Sequence, residues 1–155
     1  MAAQEKASRK KPQPRKVHIK TYERLRKVLA EGGARAAIVT SRAGLPATML
    51  VSLARHYRIS RQHAYRLAGM TSATADRKIR QQERLPPEAS ERLTRIAQIE
   101  AEAIDVLGSE GAAHRWLETP NSALGGEPPL EMTDTGYGAD AVLRLLGAIR
   151  YGGAA

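Results

Sequence analysis

The chain has 155 residues, a net charge of +9, no cysteine, no phenylalanine and only 4% aromatic residues. The missing cysteines exclude disulfides and Cys-based zinc sites and suit a reducing cytosol. No apolar run approaches the roughly 20 residues of a membrane span, and no apolar stretch of signal-peptide type follows the basic N-terminus.

With so few aromatics, Ala, Leu and Ile must fill the core, which favours helices packed at short range. The net charge hides a split. Residues 1–97 hold 22 Lys/Arg and 7 Asp/Glu, a net of +15, whereas residues 98–155 hold 3 Lys/Arg and 9 Asp/Glu, a net of −6. A basic half is drawn to phosphate backbones and an acidic half is repelled by them, so the halves are expected to face nucleic acid and protein respectively. The bland alternative is a charge pattern that only solubilises.

In chain order, residues 1–19 read as a disordered basic arm interrupted by Pro12 and Pro14, which either adds non-specific DNA affinity or merely solvates. Tyr22, Leu25, Val28 and Leu29 follow a helical stripe; Gly32-Gly33 is expected to end that helix, with helix resuming towards Val39. Gly44-Leu45-Pro46 opens the next helix, with Pro46 in its first turn and Leu50, Leu53, Ala54 and Tyr57 on one face. Ser60 caps a helix through Leu67. A turn at Ala68-Gly69-Met70-Thr71 leads to a helix over 72–83, broken by Pro86-Pro87. A long helix over 88–107 carries Leu93, Ile96, Ala97, Ile104 and Leu107 on one stripe and stops at Gly108. Ser109 starts a helix ending near Leu117. A loop over 119–127 contains Gly125-Gly126, and one turn is expected over 129–132. Asp134 or Thr135 caps the last helix, whose Val142, Leu145, Leu146 and Ile149 form a clean amphipathic face. No useful segment alternates with period two. The fold is expected to be all-α, with a helix-turn-helix domain over 20–97 and a small helical domain over 98–155.

Residues 60–80 have the layout of a helix-turn-helix, two short helices joined by a turn at Gly69. In that motif the start of the second helix reaches base edges while basic side chains hold phosphates. The DNA-binding candidates are Ser72 and Thr74 at that start, Arg77, Lys78 and Arg80 along the helix, and Arg61 on the first helix, with Arg66 as a further backbone contact. Tyr65 and Ala75 fit the motif poorly: a small residue is usual at the first position and a larger apolar one at the second. A helical bundle without sequence-specific binding is the competing reading.

Other signals are set aside. Residues 136–141 spell G-x-G-x-x-A, but the dinucleotide fingerprint needs a preceding strand in a βαβ unit, and here the glycines ease the start of the last helix. His18, His56, His63 and His114 lie far apart and lack metal-ligand spacing; His56 and His63 are expected on helix surfaces or at a core edge. Glu100 and Glu102 fall on opposite sides of a helix. No nucleophile–base arrangement suggests catalysis. No enzyme activity, metal site or cofactor is expected.

From Leu45 onward the chain resembles antitoxins of the Xre/MbcA/ParS family, partners of RES-domain toxins. The resemblance is carried by Arg115-Trp116-Leu117, Thr119-Pro120-Asn121, Ala123-Leu124-Gly125-Gly126, Pro129-Leu130-Glu131, Asp134-Thr135, Gly138-Ala139, Val142, Leu145-Leu146-Gly147, Ile149 and Tyr151-Gly152. Residues 85–93 are similar to the family's link between its two domains. What this implies is a cytoplasmic inhibitor, dimeric and able to form a higher toxin–antitoxin complex, whose C-terminal domain binds an NAD-degrading toxin and blocks its active site. The helix-turn-helix would then repress the operon by binding operator DNA. No membrane partner is implied.

For that role the final helix would be anchored by Val142, Leu145, Leu146 and Ile149 on Trp116 and Leu117, with the segment from Arg150 to Ala155 projecting beyond it. The toxin-binding candidates are Leu146, Ile149, Arg150, Tyr151, Gly152, Gly153, Ala154 and Ala155. Tyr151 is of a type favoured at binding hot spots, the small residues after it suit a narrow channel, and a terminal carboxylate could meet an arginine. The chain departs from the family at Ala148, usually basic, at Arg150, usually acidic, and at Met132-Thr133, usually more apolar. The alternative reading is a helix-turn-helix regulator of other genes whose C-terminal domain serves only dimerisation.

Overall fold

A computed structural model describes residues 19–152. The expected arm, except Ile19, therefore lies outside the described residues, as do Gly153, Ala154 and Ala155. The described chain is helical: α1 (Tyr22–Ala43), α2 (Met49–His56), α3 (Arg61–Leu67), α4 (Ser72–Arg80), α5 (Pro87–Leu107), α6 (Glu110–Glu118) and α7 (Gly136–Arg150), with 3-10 turns at Ser122–Leu124 and Glu131–Asp134. Pairing among the described residues is limited to two isolated bridges, Pro46 with Arg84 and Asn121 with Glu127. No described helix is long and apolar enough to cross a membrane.

Side-chain caps set most helix starts. The hydroxyls of Thr21, Ser60, Thr71, Ser109 and Thr135 each accept a backbone N–H three residues on, each worth about 1 kcal/mol. Gly33 (φ 53°, ψ −145°) interrupts α1 where Gly32-Gly33 was expected to end a helix, and helix resumes beyond it to Ala43, as expected towards Val39. Two other boundaries differ from expectation. The second helix starts at Met49, not at Pro46, because the preceding segment pairs with another: the Leu85 N–H donates to the Leu45 carbonyl (2.7 Å) and the Ala47 N–H to that of Glu83 (2.9 Å). The fourth helix stops at Arg80, where Gln82 adopts φ 53° and the Glu83 N–H returns to the Lys78 carbonyl (2.9 Å). Pro86-Pro87 separates the two helices as expected, with Pro87 itself the first residue of α5, since its missing N–H is not needed there.

The core is organised around α5, which packs against α1, α6, α7 and the turn Glu131–Asp134. Leu93, Ile96, Ile99 and Ala103 are buried along it, with Tyr22, Leu25 and Leu29 from α1. The expected domain boundary at 97/98 falls inside this helix, without a linker. The last helix also seats differently from expectation. Val142 and Leu146 are fully buried, but α7 packs on α5 and on the turn Glu131–Asp134 rather than chiefly on Trp116 and Leu117. Leu117 belongs to the core and Trp116 is half-buried against it.

Candidate functional site

Two surfaces and one buried cluster concentrate the polar chemistry. The first surface is the helix-turn-helix. Gly69 in its turn has φ 70°, a backbone conformation that requires glycine; a Cβ there would lie 2.9–3.1 Å from the Arg92 guanidinium on α5, the mobile end of a side chain that can move aside. Tyr65 and Ala75 are both buried, and the Tyr65 hydroxyl donates to Asp76 Oδ1 (2.7 Å). The motif's bulk thus sits on the first helix instead of the second, which accounts for both departures at once. Arg61, Ser72, Thr74, Arg77 and Arg80 are exposed and Lys78 is half-buried.

Two of these cations are already engaged. Arg77 and Lys78 both donate to Glu83, at 3.0 and 2.7 Å, and Arg77 also to Gln81 (2.9 Å). The Lys78 hydrogen bond, with the Arg77 charge, holds the Glu83 carboxyl below its ordinary pKa. Sequence reasoning missed Glu83 because it lies beyond the helix end, brought back by the turn at Gln82.

The second surface is the end of α7. The Tyr151 N–H donates to the Gly147 carbonyl (3.2 Å), and its side chain is 87% exposed. Ile149 is half-buried and Gly152 exposed. Two candidate contact residues need correction. Leu146 has no exposed surface and is an anchor, because its position on the stripe faces α5. Arg150 does not project: its guanidinium folds back to Glu102 (2.7 Å) and Asp105 (2.6 Å). These carboxylates are three residues apart on α5 and so share one face. That spacing was the available signal for a basic partner.

Below this end, α7 starts in tight contact with the preceding turn. A Cβ at Gly138 would lie 2.0 Å from the Met132 carbonyl oxygen, whereas one at Gly136 would meet nothing within 4 Å. The Thr133 carbonyl in turn accepts from Arg95 of α5 (3.1 Å). Asn121 caps the turn Ser122–Leu124, and Gly125 and Gly126 have φ 71° and 86°, so these residues serve as turn chemistry. Across the 97/98 boundary, His63 of α3 meets Glu131 at 2.5 Å.

The buried cluster was not expected. His56 and His114, far apart in sequence, meet at Nε2–Nε2 3.0 Å. Each also lies against Glu100 Oε1, at 2.8 and 2.9 Å. The Tyr57 hydroxyl donates to Glu100 Oε2 (2.8 Å), His56 Nδ1 faces Glu23 (3.4 Å), and Arg26 lies between Glu100 (3.4 Å) and Glu110 (3.0 Å). Glu100 is fully buried. Burial alone would push its carboxyl up, but the hydrogen bond and charge of His56, with Tyr57 and His114, hold it at about 2. Neighbours in space here are 14 to 58 residues apart in sequence, which local spacing rules cannot detect.

Comparison with known proteins agrees with this division. Residues 36–98 match the antitoxin Xre-like helix-turn-helix domain and residues 102–152 the antitoxin Xre/MbcA/ParS C-terminal toxin-binding domain. The chain is 32% identical to Antitoxin Xre of Yersinia enterocolitica over 95 residues, 61% of this chain and 64% of that protein. It is 27% identical to Antitoxin Xre of Photorhabdus laumondii over 110 residues, 70% and 74% of the two chains. A shorter stretch of 44 residues is 48% identical to the 6-hydroxy-3-succinoylpyridine 3-monooxygenase HspA of Pseudomonas putida, covering 28% of this chain but only 14% of that enzyme. The chain thus spans just under two thirds of the Yersinia relative and a small fraction of the enzyme. Both of its matched domains are those of one group, and the chain belongs to the Xre/MbcA/ParS antitoxin family.

Proposed function

We propose that this protein is the antitoxin of a toxin–antitoxin pair, and that it occludes the active site of a RES-domain, NAD-degrading toxin with the end of α7 and the residues after it. The carrying observation is the pairing of a rigid base with an exposed tip. Val142 and Leu146 bury α7 on α5, Arg150 ties its last turn to Glu102 and Asp105, and Tyr151 stands 87% exposed directly beyond. Preorganisation of this kind lowers the ordering cost of inserting a short segment into a cleft. Ile149, Tyr151 and Gly152, followed by Gly153, Ala154 and Ala155, supply the contact. Leu146 and Arg150 position it.

The helix-turn-helix carries the second activity, repression of the protein's own operon by a cytoplasmic homodimer. Arg61 and Arg80 hold phosphates, Ser72 and Thr74 face base edges, and Arg77 and Lys78 join them once released from Glu83.

Co-expression with the product of the neighbouring reading frame, expected to be a RES-domain toxin, tests the reading. The intact chain is expected to restore growth, and deletion of 151–155 is expected to abolish rescue while leaving operator binding unchanged. Failure of the intact chain to rescue, with operator binding retained, would support a regulator whose C-terminal domain only dimerises.

A further inference from the structure

The buried cluster shares no residue with either surface, and neither proposed activity uses it. We propose that His56, Glu100, Glu110 and His114 form a binding site for one divalent first-row transition-metal ion, clipping the helix-turn-helix side of the molecule to the toxin-binding side.

The ligand atoms already converge. One nitrogen or oxygen from each of the four residues lies within 4.8 Å of all the others. His56 Nε2, His114 Nε2 and Glu100 Oε1 form a nearly equilateral triangle with edges of 2.8, 2.9 and 3.0 Å. Such edges separate atoms held about 2.1 Å from a common centre at angles near 90°, the arrangement of two imidazoles and a carboxylate on one face of a metal ion. Glu110 offers a further donor within 4.8 Å of each of them. Imidazole and carboxylate together suit zinc, cobalt, nickel or iron(II) rather than calcium or magnesium.

Hydrogen bonding satisfies this triangle poorly. If both Nε2 atoms carry a proton towards Glu100, the two N–H groups crowd each other at 3.0 Å. If only one does, the other imidazole faces the carboxylate with a lone pair. A cation at the centre replaces both unfavourable options. With both imidazoles neutral, Glu23, Glu100 and Glu110 bring three negative charges and Arg26 one positive, so a divalent ion would bring the neutral balance, in place of the proton that, against the cost of burial, Glu100 and Glu23 favour on His56.

The surroundings resemble a metal's outer shell. Glu23 sits on the far nitrogen of His56 (3.4 Å), the carboxylate–histidine arrangement that orients a metal-bound imidazole. Tyr57 holds the second oxygen of Glu100 (2.8 Å). The Tyr22 ring lies 4.7 Å from that of His56, and its hydroxyl is fully buried without a hydrogen-bond partner, as is Arg26 Nε. The site is closed on the side of His56, whose side chain is 4% exposed, but His114 at 22% and Glu110 at 53% leave a route in from solvent. Its members come from α2, α5 and α6, with the outer shell from α1 and from Tyr57 at the end of α2. A bound ion would therefore stabilise the contact between the two sides by mass action.

The test uses tag-free full-length protein stripped with EDTA and desalted. Calorimetric titration with zinc chloride, and with cobalt(II) followed by its visible ligand-field bands, should show one equivalent bound and a raised melting temperature. His114→Ala and the surface variant Glu110→Gln, each checked for retained helicity by circular dichroism, should weaken binding at least about tenfold, and Glu23→Gln by about 10- to 100-fold. His63→Ala should bind as the parent. Absence of saturable one-equivalent binding, or binding unchanged by both His114→Ala and Glu110→Gln, overturns the proposal and leaves the cluster a purely hydrogen-bonded one.

Discussion

The contact between Gly138 and Met132 allows the placement of α7 to be tested with two neighbouring glycines. A Cβ at Gly138 would stand 2.0 Å from a backbone carbonyl oxygen and 2.9 Å from its carbon. A backbone group cannot swing aside as a side chain can, so α7 must withdraw by about 1 Å, and overpacking of this kind costs about 1–3 kcal/mol. The withdrawal also stretches the bond from the Gly138 N–H to Thr135 Oγ1, now 3.1 Å, a cap worth about 1 kcal/mol. Helix propensity offsets at most about 1 kcal/mol. The net loss is about 1–3 kcal/mol, or about 2–12 °C in melting temperature for a chain of this size.

Gly136 has open space at the same helix end. Gly136→Ala should therefore stabilise by about 0.4–1 kcal/mol through the unfolded state alone. Thermal and urea unfolding, followed by circular dichroism, should move in opposite directions for the two variants. Toxin neutralisation should fall in Gly138→Ala and survive in Gly136→Ala. A Gly138→Ala protein as stable as the parent would refute the close approach and, with it, the seating of α7 on the turn Glu131–Asp134.

Three further predictions address the surfaces. Glu83→Gln releases Arg77 and Lys78, so DNA affinity should rise and the slope of log affinity against log salt should steepen by about 0.9 for each additional phosphate neutralised; unchanged anisotropy titrations across a salt series would place the DNA elsewhere, whereas Arg77→Glu with Lys78→Glu should abolish operator shifts. Leu146→Ala should cost about 2–5 kcal/mol by cavity formation and lose neutralisation through the fold, while Tyr151→Ala should lose neutralisation with unchanged urea unfolding; equal neutralisation by Tyr151→Ala would remove the tyrosine from the contact. Arg150→Glu sets three carboxylates together at the end of α7 and should weaken neutralisation, with Glu102→Lys in the same chain recovering part of it; no recovery would mean that Arg150 meets the toxin directly.

What could be read without the structure divides by distance along the chain. Caps, stripes and turns act within a few residues, and Ser60, Thr71, Gly69, Gly108 and the Val142–Leu146 face were all legible. Arg77, Lys78 and Arg150 were legible as cations but not as partners, because Glu83 returns through a turn and Glu102 and Asp105 come from another helix. Charge counting treats such groups as free. Folding pairs them, so Arg150 holds the end of α7 to α5 while Arg77 and Lys78 are held by Glu83. His56, Glu100 and His114 are the extreme case: each is unremarkable in its own helix, and their chemistry exists only where three helices meet.

For the same physical reason the two domains are not separable parts. The boundary suggested by the charge split lies within α5, whose buried residues Leu93, Ile96, Ile99 and Ala103 run continuously through it. Contacts that cross it include His63 with Glu131, Arg95 with the Thr133 carbonyl, and His56 with Glu100 and His114. A cut at 97/98 would divide a helix, expose apolar surface on both pieces and leave Glu100 without His56 and Tyr57. The turn Glu131–Asp134 touches both α7 and α3. If a toxin binds at the end of α7 and DNA at the helix-turn-helix, a ligand that favours one arrangement of that turn biases the other surface in proportion to its differential affinity.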